Sequence, residues 1–226
     1  MNKLALPILV ALLAAVPLAA QSVENWEGLT KVRSKNADGL WLLPEVDFRS
    51  YTKVKLDPTE VAFRRNWQRN FNSSSGRGRR RIDDRQAARI AEAARTGFEE
   101  IFANAYREAG YQVVTEDAPD VLRLRTAVLN LFIAAPDQMD AGASRSYSTE
   151  AGEATLVLEA RDSLTGALLG RAVDQRIAGD TGGLRNSVTN RADFEDLFRD
   201  WARISVRGLG ELKARSPINA AAAQRR

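Results

Sequence analysis

Arginine is the residue type whose spacing in this chain most strongly suggests chemistry. Between Val61 and Arg85 the sequence holds eight arginines against two aspartates, although the whole chain carries only +4. Guanidinium groups bind phosphate and carboxylate oxygens through paired hydrogen bonds. The densest part lies in a Ser/Gly-rich stretch and supplies four candidate binding residues: Arg77, Arg79, Arg80 and Arg81. The pattern predicts a basic flexible loop over residues 72–82 that binds an anionic envelope polymer or lipid head groups, or a solvated loop with no ligand.

A second candidate surface lies in the connection from Ala135 to Gly152, which is long for a link between strands. Loops of this length are commonly functional or disordered. Its chemically useful side chains are Asp137, Arg145 and Tyr147. Arg145 with Tyr147 could bind an anionic ligand, a sugar or a partner protein, and a disordered connection is the alternative.

Two carboxylates, Glu159 and Asp162, stand close together and could serve as acid and base in a hydrolase acting on envelope glycan. The preferred interpretation is structural, with Asp162 accepting hydrogen bonds from N–H groups of a turn and Glu159 in a cross-strand ion pair. The chain has no histidine and no cysteine, which excludes a Ser-His-Asp triad and thiolate or imidazole metal sites. We therefore expect a non-enzymatic binding or assembly protein, with no catalytic residue, metal or cofactor.

The amino terminus has the pattern of a secretory signal peptide. Lys3 precedes an uncharged apolar run from Leu4 to Ala20, which Pro17 and small residues close. Cleavage is expected near Ala20, and a retained membrane anchor is the alternative because the run reaches the lower limit of a span, about 17 residues. After cleavage no segment is expected to span a membrane. The expected location is periplasmic or secreted, which favours an envelope partner and argues against nucleic acid.

Periodicity divides the rest of the chain into strands and helices. The stretch "YTKVKLD" alternates as a strand, and Asp57-Pro58 ends it. The stretch "EVAFRRNWQRNF" predicts a short helix or an irregular segment. A helix of about 26 residues follows, with Asp83 or Asp84 as N-cap and Gly110 after its end.

The second half of the chain predicts a long strand, a hairpin and a final helix. In "DVLRLRTAVLNLFIA" Leu122 and Leu124 face one way and Arg123 and Arg125 the other. The hairpin turn is placed at residues 162–166, and the last helix carries a stripe of apolar residues: Phe194, Leu197, Phe198, Trp201, Leu209 and Leu212. The fold class is α+β, an antiparallel or mixed sheet of about five strands with two long helices packed on one face.

The domain organisation follows from these elements. Residues 1–20 form the signal peptide and 21–50 an extended lead-in. Residues 51–215 form a single α+β domain, and 216–226 form a frayed tail.

Several stretches resemble one family of bacterial exported proteins and lipoproteins, catalogued as a domain of unknown function (family 3313). They include "YTKVKLDP", "FRRNWQRNFN", "APDVLRLRTAVLNLFIAAPD" and "FEDLFRDWARISVRGL", and the most specific is "VLEARDSLTGALLGRAVDQR" from Val157 to Arg176. The resemblance covers roughly residues 51–212. It implies an envelope location and a small α+β domain, and it supplies no catalytic residues. Many members are similar to lipoproteins with a modified cysteine, which this chain lacks.

Overall fold

A computed structural model describes residues 25–26, 28–74, 81–134, 146–148, 151–179, 183–185 and 187–219. Its helices are α1 (Trp67–Ser74), α2 (Asp84–Glu108) and α3 (Ser187–Arg215). Its strands are β1 (Asn25–Trp26), β2 (Leu29–Val32), β3 (Gly39–Leu42), β4 (Lys53–Leu56), β5 (Glu60–Phe63), β6 (Gln112–Val114), β7 (Val121–Ile133), β8 (Ser146–Ser148), β9 (Gly152–Asp162), β10 (Leu168–Ala178) and β11 (Gly183–Arg185).

The described residues form a nine-stranded sheet in the order β1-β2-β3-β10-β9-β7-β4-β6, with β5 also pairing with β7. Strands β7, β9 and β10 form its antiparallel centre, while β4 and β5 run parallel to β7. The α+β class is confirmed, and the prediction of about five strands is wrong. The extra strands of this sheet are β1, β2, β3 and β5, each of four residues or fewer. Strands β3 and β5 pair with β10 and β7, far along the chain.

Three of those strands come from the segment assigned from the sequence to an extended lead-in. Strand β3 pairs with β10, with Leu42 opposite Gly170, and β2 then pairs with β3. Leu29 and Trp41 are buried there with Leu168 in a small apolar cluster of their own. The amino-terminal part of the described chain therefore completes one edge of the sheet.

Both long helices pack on the same face of the sheet, as predicted. Helix α2 contacts β4, β5 and β6, and α3 contacts β9 and β10. Their buried aromatic side chains meet between the layers, where Phe98 packs edge-on against Phe198 at 5.3 Å between ring centroids. Asp83 caps α2 by accepting a hydrogen bond from the Gln86 N–H (2.7 Å), while the Gln86 side chain accepts one from the Asp83 N–H. This capping box confirms the predicted start of the helix.

Two predicted flexible segments are partly ordered. Residues 72–74, assigned to the basic loop, belong to α1, because the side chain of Asn72 exchanges two hydrogen bonds with the backbone of Ile82 (2.8 and 2.9 Å). The tail predicted to fray from residue 216 is packed as far as Ile218. Ile218 is buried and exchanges backbone hydrogen bonds with Glu45 and Val46, both of 2.9 Å.

Candidate functional site

A cleft of about 1030 Å³ lies between the sheet and the carboxyl-terminal half of α3. It is at the upper end of the range usual for small-molecule sites, about 300–1,000 Å³. The loop between β2 and β3 and the segment 217–219 also border it. A cavity of this size inside a domain of this length is the strongest candidate for a binding site.

The floor of the cleft is aliphatic and comes from the helix-facing side of five strands. Its members are Val32 of β2, Leu40 and Leu42 of β3, Leu122 and Leu124 of β7, Leu156, Leu158 and Ala160 of β9, and Ala172 of β10. Leu158, Ala160 and Ala172 face the helix layer and yet remain half-buried. At these three positions the helices do not fully cover the sheet.

The roof of the cleft is the last four turns of α3. Trp201 and Leu209 are fully buried, whereas Ile204, Ser205, Gly208 and Leu212 are half-buried along the same side. Gly208 lines the cleft, and a Cβ built on it meets no atom within 4 Å. The missing side chain leaves room in the roof that a larger residue would fill.

Two polar groups inside the cleft are already engaged by the protein. Asp174 Oδ2 accepts hydrogen bonds from Trp201 Nε1 (2.8 Å) and Arg176 Nε (2.6 Å). Ser205 Oγ and the Tyr106 hydroxyl lie 2.7 Å apart and share a hydrogen bond, and burial raises the pKa of Tyr106 above its usual value. Tyr106 thus stays a neutral phenol, and the interior of the cleft carries no uncompensated charge.

The mouth of the cleft is different, because it is lined by four cationic side chains, here called the cationic rim. Arg33 and Lys35 come from the β2–β3 loop, and Arg207 and Arg215 come from α3. All four are exposed. One exposed acid, Glu211, lies between the two arginines on the helix. The cleft therefore joins an aliphatic interior to a mainly positive opening.

Arg81, the one sequence-predicted site residue whose side chain the structure describes, does not line this cleft. Arg77, Arg79, Arg80, Asp137 and Arg145 lie outside the described residues. Tyr147 is described through its backbone, in β8, opposite Leu184 of β11. Arg81 is exposed and borders a separate pocket of about 270 Å³ with Gln68, Arg69, Asn72 and Ser73.

Glu159 and Asp162, the two carboxylates considered as a catalytic pair, have the structural roles that the sequence favoured. Asp162 Oδ1 accepts hydrogen bonds from the Thr165 N–H and hydroxyl, both 2.8 Å, and the backbone N–H is the main reason that the pKa of Asp162 is lowered. Glu159 forms ion pairs with Arg161 and, across the strands, with Arg171. Burial alone would raise the pKa of Glu159, but the hydrogen bonds from the two arginines outweigh it and leave the pKa lowered.

Sequence reasoning missed the cleft, since its lining comes from segments far apart in the chain. One local signal was present: the stretch "RGLGELK" places two glycines inside an amphipathic helix. Gly costs a helix interior about 1 kcal/mol relative to Ala, so a glycine there calls for a packing or functional reason.

Within the described residues, no group of three or more carboxylates is placed to hold a metal ion. In the same part of the chain, none of the helices has the length and apolar character needed to cross a bilayer.

Fold and cleft together define an α+β protein with a cavity between its sheet and its helix layer. The chain belongs to the family described as "Protein of unknown function (DUF3313)", whose model matches residues 19–204. The resemblance noted from the sequence is confirmed. No curated protein sequence matches the chain.

Solved structures with a similar arrangement come from several bacteria. Protein XCC0632 from Xanthomonas campestris is 12% identical with a TM-score of 0.43, over 76% of this chain and 91% of that one. The PelC dodecamer from Paraburkholderia phytofirmans is 14% identical with a TM-score of 0.38, over 74% and 96%. A neuraminyllactose-binding hemagglutinin homolog from Helicobacter pylori is 10% identical with a TM-score of 0.37, over 76% and 89%.

Proposed function

We propose that this chain is a non-enzymatic binding protein of the bacterial cell envelope, and that its cleft holds an elongated, mainly apolar ligand. The observation that carries the proposal is a cleft of about 1030 Å³ beneath α3, whose aliphatic floor includes the half-buried Leu40, Leu158, Ala160 and Ala172. A ligand that removes aliphatic surface from water contributes about 25 cal/mol per Å² to the free energy of binding. The envelope location rests on the signal-peptide pattern of residues 1–20.

A binding role is supported over a hydrolytic one by the places of the carboxylates. Glu159 and Asp162 are outside the cleft lining. Asp174, inside it, accepts hydrogen bonds from Trp201 and Arg176, and Glu211 is exposed at the mouth. General acid–base catalysis needs a carboxyl group within hydrogen-bond reach of the reacting atoms and with a suitable pKa. The cleft lining provides no matched pair of that kind.

The test fills the cleft from its roof. Gly208→Leu places a side chain in the space above the floor, whereas Gly210→Leu makes the same change at an exposed position of α3 that does not line the cleft. Binding of the neutral fluorophore N-phenyl-1-naphthylamine is followed by its emission. We expect the Gly208 variant to lose binding and the Gly210 variant to keep it. Equal binding by the two variants refutes the proposal.

A series of linear alcohols of increasing chain length gives a second readout. Each buried CH₂ contributes about 0.8 kcal/mol, or about a fourfold gain in affinity, until the cleft is full. Displacement of the fluorophore should follow this slope in the native chain. An affinity that does not change with chain length would mean that the aliphatic floor does not hold the ligand.

Binding of an anionic envelope polymer or lipid head groups through the Arg-rich segment is a second candidate. It is favoured by the Asn72–Ile82 hydrogen bonds, which hold the two ends of that segment together beside Arg69 and Arg81. Replacing Arg77, Arg79, Arg80 and Arg81 with Ala should abolish low-salt binding to anionic vesicles. Unchanged vesicle binding by that variant removes this candidate.

A further inference from the structure

We infer that the ligand of the cleft is an anionic lipid, with its acyl chain on the aliphatic floor and its negatively charged head group at the cationic rim. The inference rests on the proposed function and adds the charge and orientation of the ligand. The two halves of such a molecule match the two parts of the site. The interior is aliphatic with its polar groups engaged, and the mouth carries Arg33, Lys35, Arg207 and Arg215.

The four arginines of α3 from residue 199 onward divide into two groups by their surroundings. Arg199 and Arg203, which are not part of the cleft lining, form ion pairs with acids one turn away on the same helix. In the described part of the chain, none of the ion pairs involves Lys35, Arg207 or Arg215. Charge is therefore compensated at Arg199 and Arg203 and is left positive beside the cleft.

Glu211 provides a separate test of the charge assigned to the ligand. It lies four residues from both Arg207 and Arg215, so an anionic head group at the rim would meet one like charge among four opposite ones. Opposite charges attract such a ligand and Glu211 repels it. Removing a cation of the rim should lower the affinity for such a ligand, and removing the charge of Glu211 should raise it. A purely structural role of these exposed residues would not produce opposite effects.

Other occupants fit the site less well. A sugar needs hydrogen-bond donors and acceptors along its length, whereas the floor is aliphatic and the interior Asp174 is engaged by Trp201 and Arg176. The last residues of this chain follow Asn219, which borders the cleft, but they end in Arg225-Arg226 and carry the same sign of charge as the rim. Charge complementarity therefore favours an anionic amphiphile.

The experiment compares three probes with the same ten-carbon chain: decanoate, decanol and decylammonium. Binding to the full chain is measured by displacement of N-phenyl-1-naphthylamine. We expect decanoate to bind about tenfold or more tightly than decanol at low salt, because each rim cation near the head group contributes about a fivefold gain. The difference should shrink as salt shortens the screening length from about 10 Å at 0.1 M to about 3 Å at 1 M.

Three variants separate the rim from general charge effects. The double variant Arg207→Gln/Arg215→Gln should lose about tenfold or more in decanoate affinity while keeping decanol affinity. The control Arg199→Gln/Arg203→Gln has the same net charge and should bind decanoate as the native chain does. Glu211→Gln should bind decanoate a few times more tightly.

The outcomes also separate this inference from the proposed function. If none of the three probes binds, the proposed function itself fails. If decanol and decanoate bind equally at low salt, the cleft binds apolar chains but the anionic assignment is wrong. Tighter binding of decylammonium overturns the assignment in favour of a cationic occupant, such as the Arg-ended tail of the chain.

Discussion

Replacing Glu159 with Gln should destabilise the fold and leave ligand binding unchanged. Glu159 accepts hydrogen bonds from Arg161 Nε (2.9 Å) and Arg171 Nε (3.1 Å) on the face of the sheet opposite the helices. The side chains of Glu159 and Arg171 are only 15% and 7% exposed. The Arg171 guanidinium is therefore mostly removed from water, and Glu159 supplies a negative charge that compensates it.

The expected loss in the free energy of unfolding is about 2–4 kcal/mol. A hydrogen bond to a charged group contributes about 1.5–3 kcal/mol, and breaking a buried ion pair from one side costs about 3–5 kcal/mol. The estimate is set somewhat lower than the range for a broken buried ion pair, because Arg161 also donates a hydrogen bond to the Gly166 carbonyl (3.0 Å). Arg161 keeps this hydrogen bond in the Gln variant. Urea unfolding followed by tryptophan fluorescence measures the loss.

The pH dependence of that loss identifies its origin. The pKa of Glu159 is lowered from the reference value of 4.5 in the folded chain, so its stabilisation is complete above about pH 4.5. It then fades as pH falls through the lower folded pKa, because protonation removes the charge that holds the two arginines. The stability difference between the native chain and the Gln variant should therefore be constant at neutral pH and shrink in acid.

Two control variants make this reasoning refutable. Glu92→Gln removes a carboxylate that is 59% exposed and pairs with Arg95 along α2, and it should leave stability within error. Glu159→Leu combined with Arg171→Leu should cost less than Glu159→Gln alone, since it removes the more buried guanidinium together with the carboxylate and leaves Arg161 its hydrogen bond to Gly166. A Gln variant as stable as the native chain, or a stability loss that persists unchanged at pH 3, would show that the ion pairs contribute nothing.

Three further substitutions test local features of the fold by urea unfolding. Gly97→Ala, in the interior of α2 where a Cβ meets no atom within 4 Å, should stabilise by about 1 kcal/mol, and a loss would show that the helix is crowded there. Gly152→Ala should destabilise by more than that gain, because its Cβ would lie 1.9 Å from the Phe132 carbonyl oxygen; neutral behaviour would contradict this backbone approach. Asp83→Ala should cost about 1 kcal/mol by removing the hydrogen bond to the Gln86 N–H, and no change would mean that the capping box is dispensable.

Local elements could be predicted from the sequence wherever the signal was itself local. The alternation in β7 placed Leu122 and Leu124 toward the helices and Arg125 toward solvent, and burial follows that pattern. The hairpin turn was found from Asp162 and Gly166, and Gly166 does adopt a positive φ of 71°. Short-range periodicity and turn chemistry were sufficient in these places.

The edge of the sheet and the cleft could not be predicted, because both depend on contacts between distant segments. Strand β3 has only four residues, and it is a strand because Leu42 lies opposite Gly170, far along the chain. The floor of the cleft combines strands from separate segments of the chain, and its roof is a helix whose periodicity predicted a buried stripe. That stripe is buried at Trp201 and Leu209 but only half-buried at Leu212, which borders the cleft.

The cleft is also a place where the chain gives up stability. A Cβ at Gly208 would meet no atom, and any other ordinary helix-forming residue would gain about 1 kcal/mol from helix propensity alone. A Leu side chain that covers part of the aliphatic floor would add to that gain, since apolar surface removed from water stabilises a fold. Gly208→Leu should therefore raise the free energy of unfolding while abolishing binding of the apolar fluorophore. A variant that gains stability and still binds would mean that the ligand does not lie beneath α3; one that loses stability would mean that the space above the floor is smaller than the structure indicates.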